Sequence, residues 1–287
     1  MKTVTYLTRR SALRRGSMGV VGSLLLARAQ WADAVELPLV RWVRLAHPRL
    51  PPAFDGLRIA QIADVHAGTF MPAERLTRVR ELVESLDPDL VVFTGDQLDR
   101  RDVDAEIFVH GFAGLQAPMG VFGVLGNHDH VAGRELSVAA LQAVGAVPLV
   151  NDAVVIEQGP ARIILAGVDD IDADPPNAPD FDVVNRHEAD LRVLLCHQPN
   201  GWPAARVAGA DITLSGHTHG GQITIPSRGL NVARLHTPFV AGPYRKGDYL
   251  LHVSRGIGVG AVPVRFGAMP EVDLITIERG PVSAAAV

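Results

Sequence analysis

The chain has 287 residues, a formal net charge of −4 and 47% hydrophobic residues, which suits one globular domain with a sizeable core plus a short extension. The mild acidity excludes a general nucleic-acid surface, which needs clustered Lys and Arg, so no nucleic-acid partner is expected. A single cysteine, Cys196, excludes an internal disulfide and any thiolate zinc cage.

The chain begins with the pattern of a targeting segment. Arg9, Arg10, Arg14 and Arg15 precede an apolar run from Met18 to Ala27, with no acidic residue before Asp33. The run is shorter than the ~20 residues a membrane-spanning helix needs, and Ala32-Asp33-Ala34 supplies a small-x-small cleavage pattern. The stretch Thr8-Arg9-Arg10-Ser11-Ala12-Leu13 resembles a twin-arginine export signal. Residues 1–34 are therefore expected to be either a signal that sends the folded protein to the periplasm or cell envelope, or an uncleaved anchor that associates it with a membrane.

Residues 35–55 read as an extended lead-in, compatible with an edge strand. A regular rhythm starts at Gly56. Leu57–Ala63 is a compact apolar run, the mark of a buried strand. Pro72–Leu86 carries Leu76, Val79, Leu82, Val83 and Leu86 at helical spacing, with Pro72 near the start. Leu90–Thr94 reads as a strand, Asp104–Leu115 as a helix, Val121–Leu125 as a strand and Glu135–Val144 as a helix. Val154–Glu157 and Arg162–Val168 flank Gly159-Pro160 as a hairpin, and a Pro-rich loop follows over 172–180. Arg192–Cys196 and Asp211–Leu214 are buried strands joined by a Pro-rich or short helical connection. Gln222–Ile225, Asp248–Ser254 and Glu271–Ile277 are later strands. Alternating β and α elements followed by β-rich segments predict an α/β sandwich of two packed sheets flanked by helices, with the folded domain over 56–280 and a flexible Ala-rich tail over 281–287.

Polar clusters follow five of these strands directly: Asp64-Val65-His66, Gly95-Asp96, Gly126-Asn127-His128-Asp129, His197 and Gly216-His217-Thr218-His219. Ligands of open α/β sheets collect beyond the carboxyl ends of the strands, so clusters spread over 64–219 are expected to converge. Carboxylates, an amide oxygen and imidazoles suit divalent Mn, Fe or Zn. The seven candidate ligands exceed what one tetrahedral ion needs. They match two ions sharing a carboxylate, ~3.5–4 Å apart, the arrangement that clamps an in-line displacement at phosphorus.

The order D-x-H, G-D-x-x-D, G-N-H-D, H, G-H-T-H, here Asp64-Val65-His66, Gly95-Asp96-Gln97-Leu98-Asp99, Gly126-Asn127-His128-Asp129, His197 and Gly216-His217-Thr218-His219, resembles the calcineurin-like metallophosphoesterase superfamily. The resemblance implies a four-layer αββα sandwich of two mixed β-sheets. It assigns Asp64, His66 and His219 to one metal, Asn127, His197 and His217 to the other, and Asp96 to a bridge. It gives His128 the role of stabilising the transition state or protonating the leaving group, with Asp99 orienting it, and it implies attack by a two-metal-activated hydroxide. Phe54-Asp55-Gly56-Leu57-Arg58-Ile59, His219-Gly220-Gly221-Gln222, Ser254-Arg255-Gly256-Ile257-Gly258 and Pro263-Val264-Arg265-Phe266-Gly267 are similar to the subgroup holding exported phosphodiesterases of the YkuE and YaeI type. That subgroup is similar to enzymes that hydrolyse UDP-2,3-diacylglucosamine in lipid A synthesis. The implied substrate is a phosphodiester or a nucleotide-linked lipid.

His130, in the same loop as His128, and Arg255 and Arg265 are expected to touch substrate. Asp129 reads as a turn or capping residue, and Cys196 as a buried inert thiol. Gly256-Ile257-Gly258-Val259-Gly260 has the outline of a dinucleotide fingerprint but no helix follows it. These glycines are expected instead to bring a loop close to the metal mouth, and some of Ile257, Val259, Val262, Val264 and Phe266 to line a lipophilic groove. A non-catalytic scaffold of this fold is expected to lose the bridging carboxylate or the histidine beside it, and this chain keeps both. A β-lactamase-like metallohydrolase carries its H-x-H cluster early, whereas His217 and His219 come late.

Overall fold

The computed structural model describes residues 37–225, 230–260 and 264–286. The expected signal or anchor over 1–34 lies outside the described residues. Among them, no helix is long and apolar enough to cross a membrane.

The middle strands of the sandwich, Leu90–Thr94 and Ile212–Ser215 among them, are buried on both faces. Strands β1 (Leu39–Ala46), β2 (Leu57–Ile62), β3 (Leu90–Thr94), β4 (Val121–Val124), β5 (Val147–Pro148), β14 (Glu271–Glu278) and β15 (Ser283–Ala286) form a seven-stranded sheet in the order β15-β1-β14-β2-β3-β4-β5. Strands β6 (Asp152–Gln158), β7 (Ala161–Gly167), β8 (Leu191–Leu195), β9 (Ile212–Ser215), β12 (Gly242–Lys246) and β13 (Tyr249–Val253) form a six-stranded sheet in the order β12-β13-β9-β8-β7-β6. The strands that carry the site run parallel, β2 with β3 and β4, and β8 with β9. Their carboxyl ends therefore emerge on one edge of the sandwich.

Alternation along each strand sorts the layers. Ile59, Val92, Val124 and Ile275 of the first sheet meet Leu165, Val193, Leu195 and Leu214 of the second in the inter-sheet core. Ala60, Val91, Phe93 and Leu274 face the other way, onto helices α1 (Ala73–Ser85), α2 (Asp104–Phe112) and α3 (Asn127–Ala143) through Leu76, Val79, Phe108, Phe112 and Leu141. On the far side Ala166, Leu194 and Leu251 pack under helix α4 (Trp202–Ala208) through Trp202 and Ala205. The result is the four-layer αββα sandwich of two mixed sheets. Near the site the seam between the sheets turns polar. The Gln61 amide donates to Thr94 Oγ1 at 3.0 Å and to the Ser215 carbonyl at 2.8 Å, and His252 meets Asp273 at 3.0 Å.

Three boundaries differ from the sequence reading. Strand β1 is not an edge: it lies between β14, to which it is parallel, and β15. Residues 283–286, read as tail, are that added strand, because main-chain pairing needs no side-chain pattern. Helix α3 starts at Asn127 rather than Glu135, with Gly133 (φ 128, ψ 112) breaking it in between. Its first turn is polar because that turn faces the site, so it lacks the apolar period that marked the rest.

Candidate metal centre

Each site residue sits within a few residues of a strand end, and the backbone bends sharply there. Asp64, His66, Asp96, His217 and His219 all adopt positive φ, between 46° and 70°. Side-chain-bearing residues rarely take this left-handed conformation, and it persists only where surrounding contacts fix it. Those contacts are visible: Asp64 N–H donates to the Gly95 carbonyl, His66 N–H to the Asp96 carbonyl and Ala67 N–H to the Gln97 carbonyl at 2.9–3.1 Å. Gly95 and Gly126 permit close approaches, since a Cβ at the first would collide with the His197 ring and at the second with the Asp96 carboxylate and backbone. The glycine loop behaves as expected: the N–H groups of Ile257 and Gly258 donate to the carbonyls of Ala63 and Asp64 at 3.0 and 2.8 Å.

These bends gather the predicted ligands into adjoining groups, Asp64–His66–His219 and Asp96–His197–His217, with Asp96 also drawn together with His66 and His128. His66 Nε2 lies 3.1 Å from His219 Nε2, and His217 Nδ1 lies 3.2 Å from His197 Nε2 and 3.0 Å from Asn127 Oδ1. Asp96 stands between them, its Oδ2 3.6 Å from His66 Nε2 and 3.3 Å from His197 Nε2. Its other oxygen is occupied by the His128 N–H at 2.8 Å. The Asp64 carboxylate accepts the His217 N–H at 2.8 Å, tying a loop of one sheet to a loop of the other. His197 Nδ1 is fixed on the Thr94 carbonyl at 2.8 Å, which turns Nε2 toward the site.

The electrostatics fit divalent ions. Burial raises the Asp64 carboxyl to about 6. Burial is also the largest single influence on Asp96, but His197, His66 and His128 together outweigh it and hold that carboxyl well below the usual range. Burial alone would lower His197, but the charge and hydrogen bond of Asp96, with Asp64 and Asp170, together override it and lift the ring to about 10. Burial, reinforced by His197, lowers His217 to about 4, and burial with His66 lowers His219. Two imidazoles thus present lone pairs, while buried carboxylates draw positive charge into the same small volume. Oxygen and nitrogen donors with no thiolate are the set that suits divalent first-row ions.

His128 borders this centre, its ring edge-on to His66 with centroids 4.5 Å apart. Its Nδ1 lies 2.7 Å from the Asp99 backbone carbonyl and 3.3 Å from Asp99 Oδ1. The Asp99 carboxylate also reaches His66 Nδ1 at 3.5 Å, so it serves both rings, and the carbonyl is the closer anchor for His128. Asp129 is a cap, as expected. Buried, it accepts from the N–H groups of Gly126 at 2.9 Å and Leu98 at 3.0 Å, and burial followed by Asp96 raises it to about 7. Cys196 is buried and its thiol is pushed up to about 12.

The residues expected to touch substrate have partners within the protein. Arg265 is buried, donating to the Gly258 carbonyl at 2.7 Å, the Arg255 carbonyl at 2.8 Å and His219 Nδ1 at 3.0 Å, so it braces the wall behind His219. Arg255 pairs with Glu271. His130 Nε2 meets Asp169 Oδ1 at 2.7 Å, and Arg134 donates to Asp169 Oδ2 at 3.0 Å. Sequence reasoning missed Asp169. It follows the apolar run of β7 directly, and the strand-end rule used for the other clusters would have found it.

A calcineurin-like phosphoesterase family model matches residues 57–221. The uncharacterised metallophosphoesterase YkuE of Bacillus subtilis is 30% identical over 80% of this chain and 82% of its own. A transmembrane protein with metallophosphoesterase domain from Bos taurus is 31% identical over 96% of this chain, which spans 64% of that protein. The UDP-2,3-diacylglucosamine pyrophosphatase LpxG of Chlamydia trachomatis is 28% identical over 90% of this chain and 97% of its own. Fold, metal-ligand cluster and similarity agree that this chain belongs to the calcineurin-like phosphoesterase family, hydrolases that act on phosphoester bonds.

Proposed function

We propose that the protein hydrolyses a phosphodiester or pyrophosphate bond in a lipid-linked substrate, with a diacylated UDP-glucosamine as the leading candidate. The observation that carries the site assignment is the position of Asp96, whose Oδ2 stands within 3.6 Å of His66 and 3.3 Å of His197, one from each ligand group. In this reading Asp64, His66 and His219 hold one divalent ion, Asn127, His197 and His217 hold a second, and Asp96 lies between them. Bound ions supply Lewis-acid polarisation of the phosphoryl oxygens and lower the pKa of attacking water.

The chain's own residues do the rest. Hydrogen bonds from the His217 and His128 main-chain N–H groups hold the Asp64 and Asp96 carboxylates against rotation. His128, anchored through Nδ1, turns its other nitrogen to the substrate, where it steadies charge on the phosphoryl group or passes a proton to the departing oxygen. The similarity to LpxG over nearly the whole of both chains supports the acylated nucleotide sugar. The arginine-rich start of the sequence supports a second reading, an exported envelope phosphodiesterase.

The test is a substrate panel with metal-stripped protein reloaded with Mn, Fe or Zn. Bis-nitrophenyl phosphate, nitrophenyl phosphate, UDP-2,3-diacylglucosamine and a simple UDP-sugar are compared. A strong preference for the acylated nucleotide sugar is expected. Turnover confined to the generic diester would replace it with the envelope reading, and no turnover with any metal would remove the hydrolytic assignment.

A further inference from the structure

Charge is unevenly distributed along the chain. The sequence carries 31 acidic residues, yet from Ile212 to Pro270 the only one is Asp248, while six lysines and arginines lie in the same stretch. Part of that stretch forms a wall beside His219. Strand β10 (Thr224–Ile225) pairs with β11 (Leu230–Asn231), Ile223 bridges to Phe266, and a short helical turn, Val232–Leu235, follows β11. Thr224 N–H donates to the Phe266 carbonyl, and Phe266 N–H to the Gln222 carbonyl, each at 2.8 Å. The wall joins the mouth where Gly260 N–H donates to Gln222 Oε1 at 3.1 Å.

The exposed side chains of this wall are apolar. Leu235 is 82% exposed, Leu230 and Val232 56%, Phe266 50%, Val264 43% and Ile223 41%. Isolated exposed leucines are ordinary, but here six such side chains sit on three segments joined by backbone pairing through Gln222–Ile225, and clustered exposed apolar side chains mark interaction sites. Arg234 is exposed within it and forms no salt bridge with a described residue. An apolar surface that carries an exposed arginine, Arg234, in a stretch whose one acidic residue is Asp248, suits an anionic lipid interface, where side chains enter the head-group layer and Arg meets phosphate. A symmetric pairing with a second copy fits poorly, since a two-fold axis would set this patch against itself and offer Arg234 no carboxylate. Of the residues expected to line a lipophilic groove, Ile257 belongs to the core, Val264 and Phe266 lie on this wall, and Val262 is outside the described residues.

We propose that the wall formed by Ile223, Leu230, Val232, Leu235, Val264 and Phe266 docks the enzyme on an anionic phospholipid bilayer. The metal mouth then faces the membrane surface. The proposal stands apart from the reaction assignment, because docking is read without turnover.

The test places an environment-sensitive fluorophore on the full chain at Leu235→Cys and, as control, at Val207→Cys. Val207 is 90% exposed near the end of α4, which leads back toward the amino end of β9. The buried thiol of Cys196 stays unlabelled. Both labels ride on the same full chain, so whatever residues 1–36 contribute is common to both. On phosphatidylglycerol-containing vesicles a blue shift and a several-fold rise in emission are expected at position 235 alone, and Arg234→Glu should weaken vesicle affinity roughly tenfold. The proposal falls if the two positions respond equally or not at all, or if phosphatidylcholine vesicles give the same response. A change that follows protein concentration without vesicles would also overturn it, pointing to a second copy.

Discussion

His128 is held through one nitrogen, and that constraint defines what it can do. With Nδ1 committed to the Asp99 carbonyl, only Nε2 is available to a reacting group. His128→Gln should therefore cost about 10²–10⁴ in kcat on substrates with a poorly leaving alkoxide, and far less on nitrophenyl esters, whose leaving group needs no proton. Comparing the two substrate types in one metal-loaded preparation checks this, and equal losses would assign His128 to positioning alone. The residue types of the site were legible because carboxylate, amide and imidazole recur at strand ends. The roles of Arg255 and Arg265 were not. An arginine near a mouth looks the same in sequence whether it faces solvent or braces a buried loop, and only the five acceptors around Arg265 distinguish the two.

Helix α3 owes its first turn to contacts on both sides rather than to propensity. Asp129 fastens it to the loop after β3 through the Leu98 N–H, and Asp169 grips it through His130 and Arg134, which straddle the break at Gly133. Asp129→Ala leaves those backbone donors without their buried acceptor and should cost about 2–4 kcal/mol in urea unfolding. The His130–Asp169 contact carries a pH dependence of definite sign. Asp169 raises the His130 pKa above 6.5, so its contribution is full below that value and is lost as pH rises through the raised folded value. His130→Gln should destabilise by about 1 kcal/mol at pH 6 and by less at pH 9, and a constant penalty across that range would refute the linkage. Most of the elements were readable from apolar period: β2, β3, β4, β7, β8, α1 and α2 fall within a few residues of their expected bounds. The unread pieces have physical reasons. The first turn of α3 is polar because it serves the site, β1 alternates Arg41 and Arg44 with its apolar residues, and β15 is almost all alanine.

Across the whole molecule, the ligand groups are drawn from both sheets. Asp64, Asp96 and Asn127 follow β2, β3 and β4, whereas His197, His217 and His219 follow β8 and β9. A cation seated among them therefore acts as a rivet through the sandwich. The sheets cannot slide or part without stripping ligands from the ion, and an unfolded chain, with those six residues scattered over more than 150 positions, holds it weakly. Binding free energy becomes cohesion, growing as RT ln(1 + [M]/Kd), about 2.7 kcal/mol at a hundredfold excess over Kd. Thermal unfolding should accordingly shift upward with each decade of added Mn or Zn, and hydrogen exchange should slow in β2 and β9 together although they belong to different sheets. If protection rose in only one sheet, the ion would be fastened to one leaf, and the two halves of the site would be free to breathe apart between turnovers.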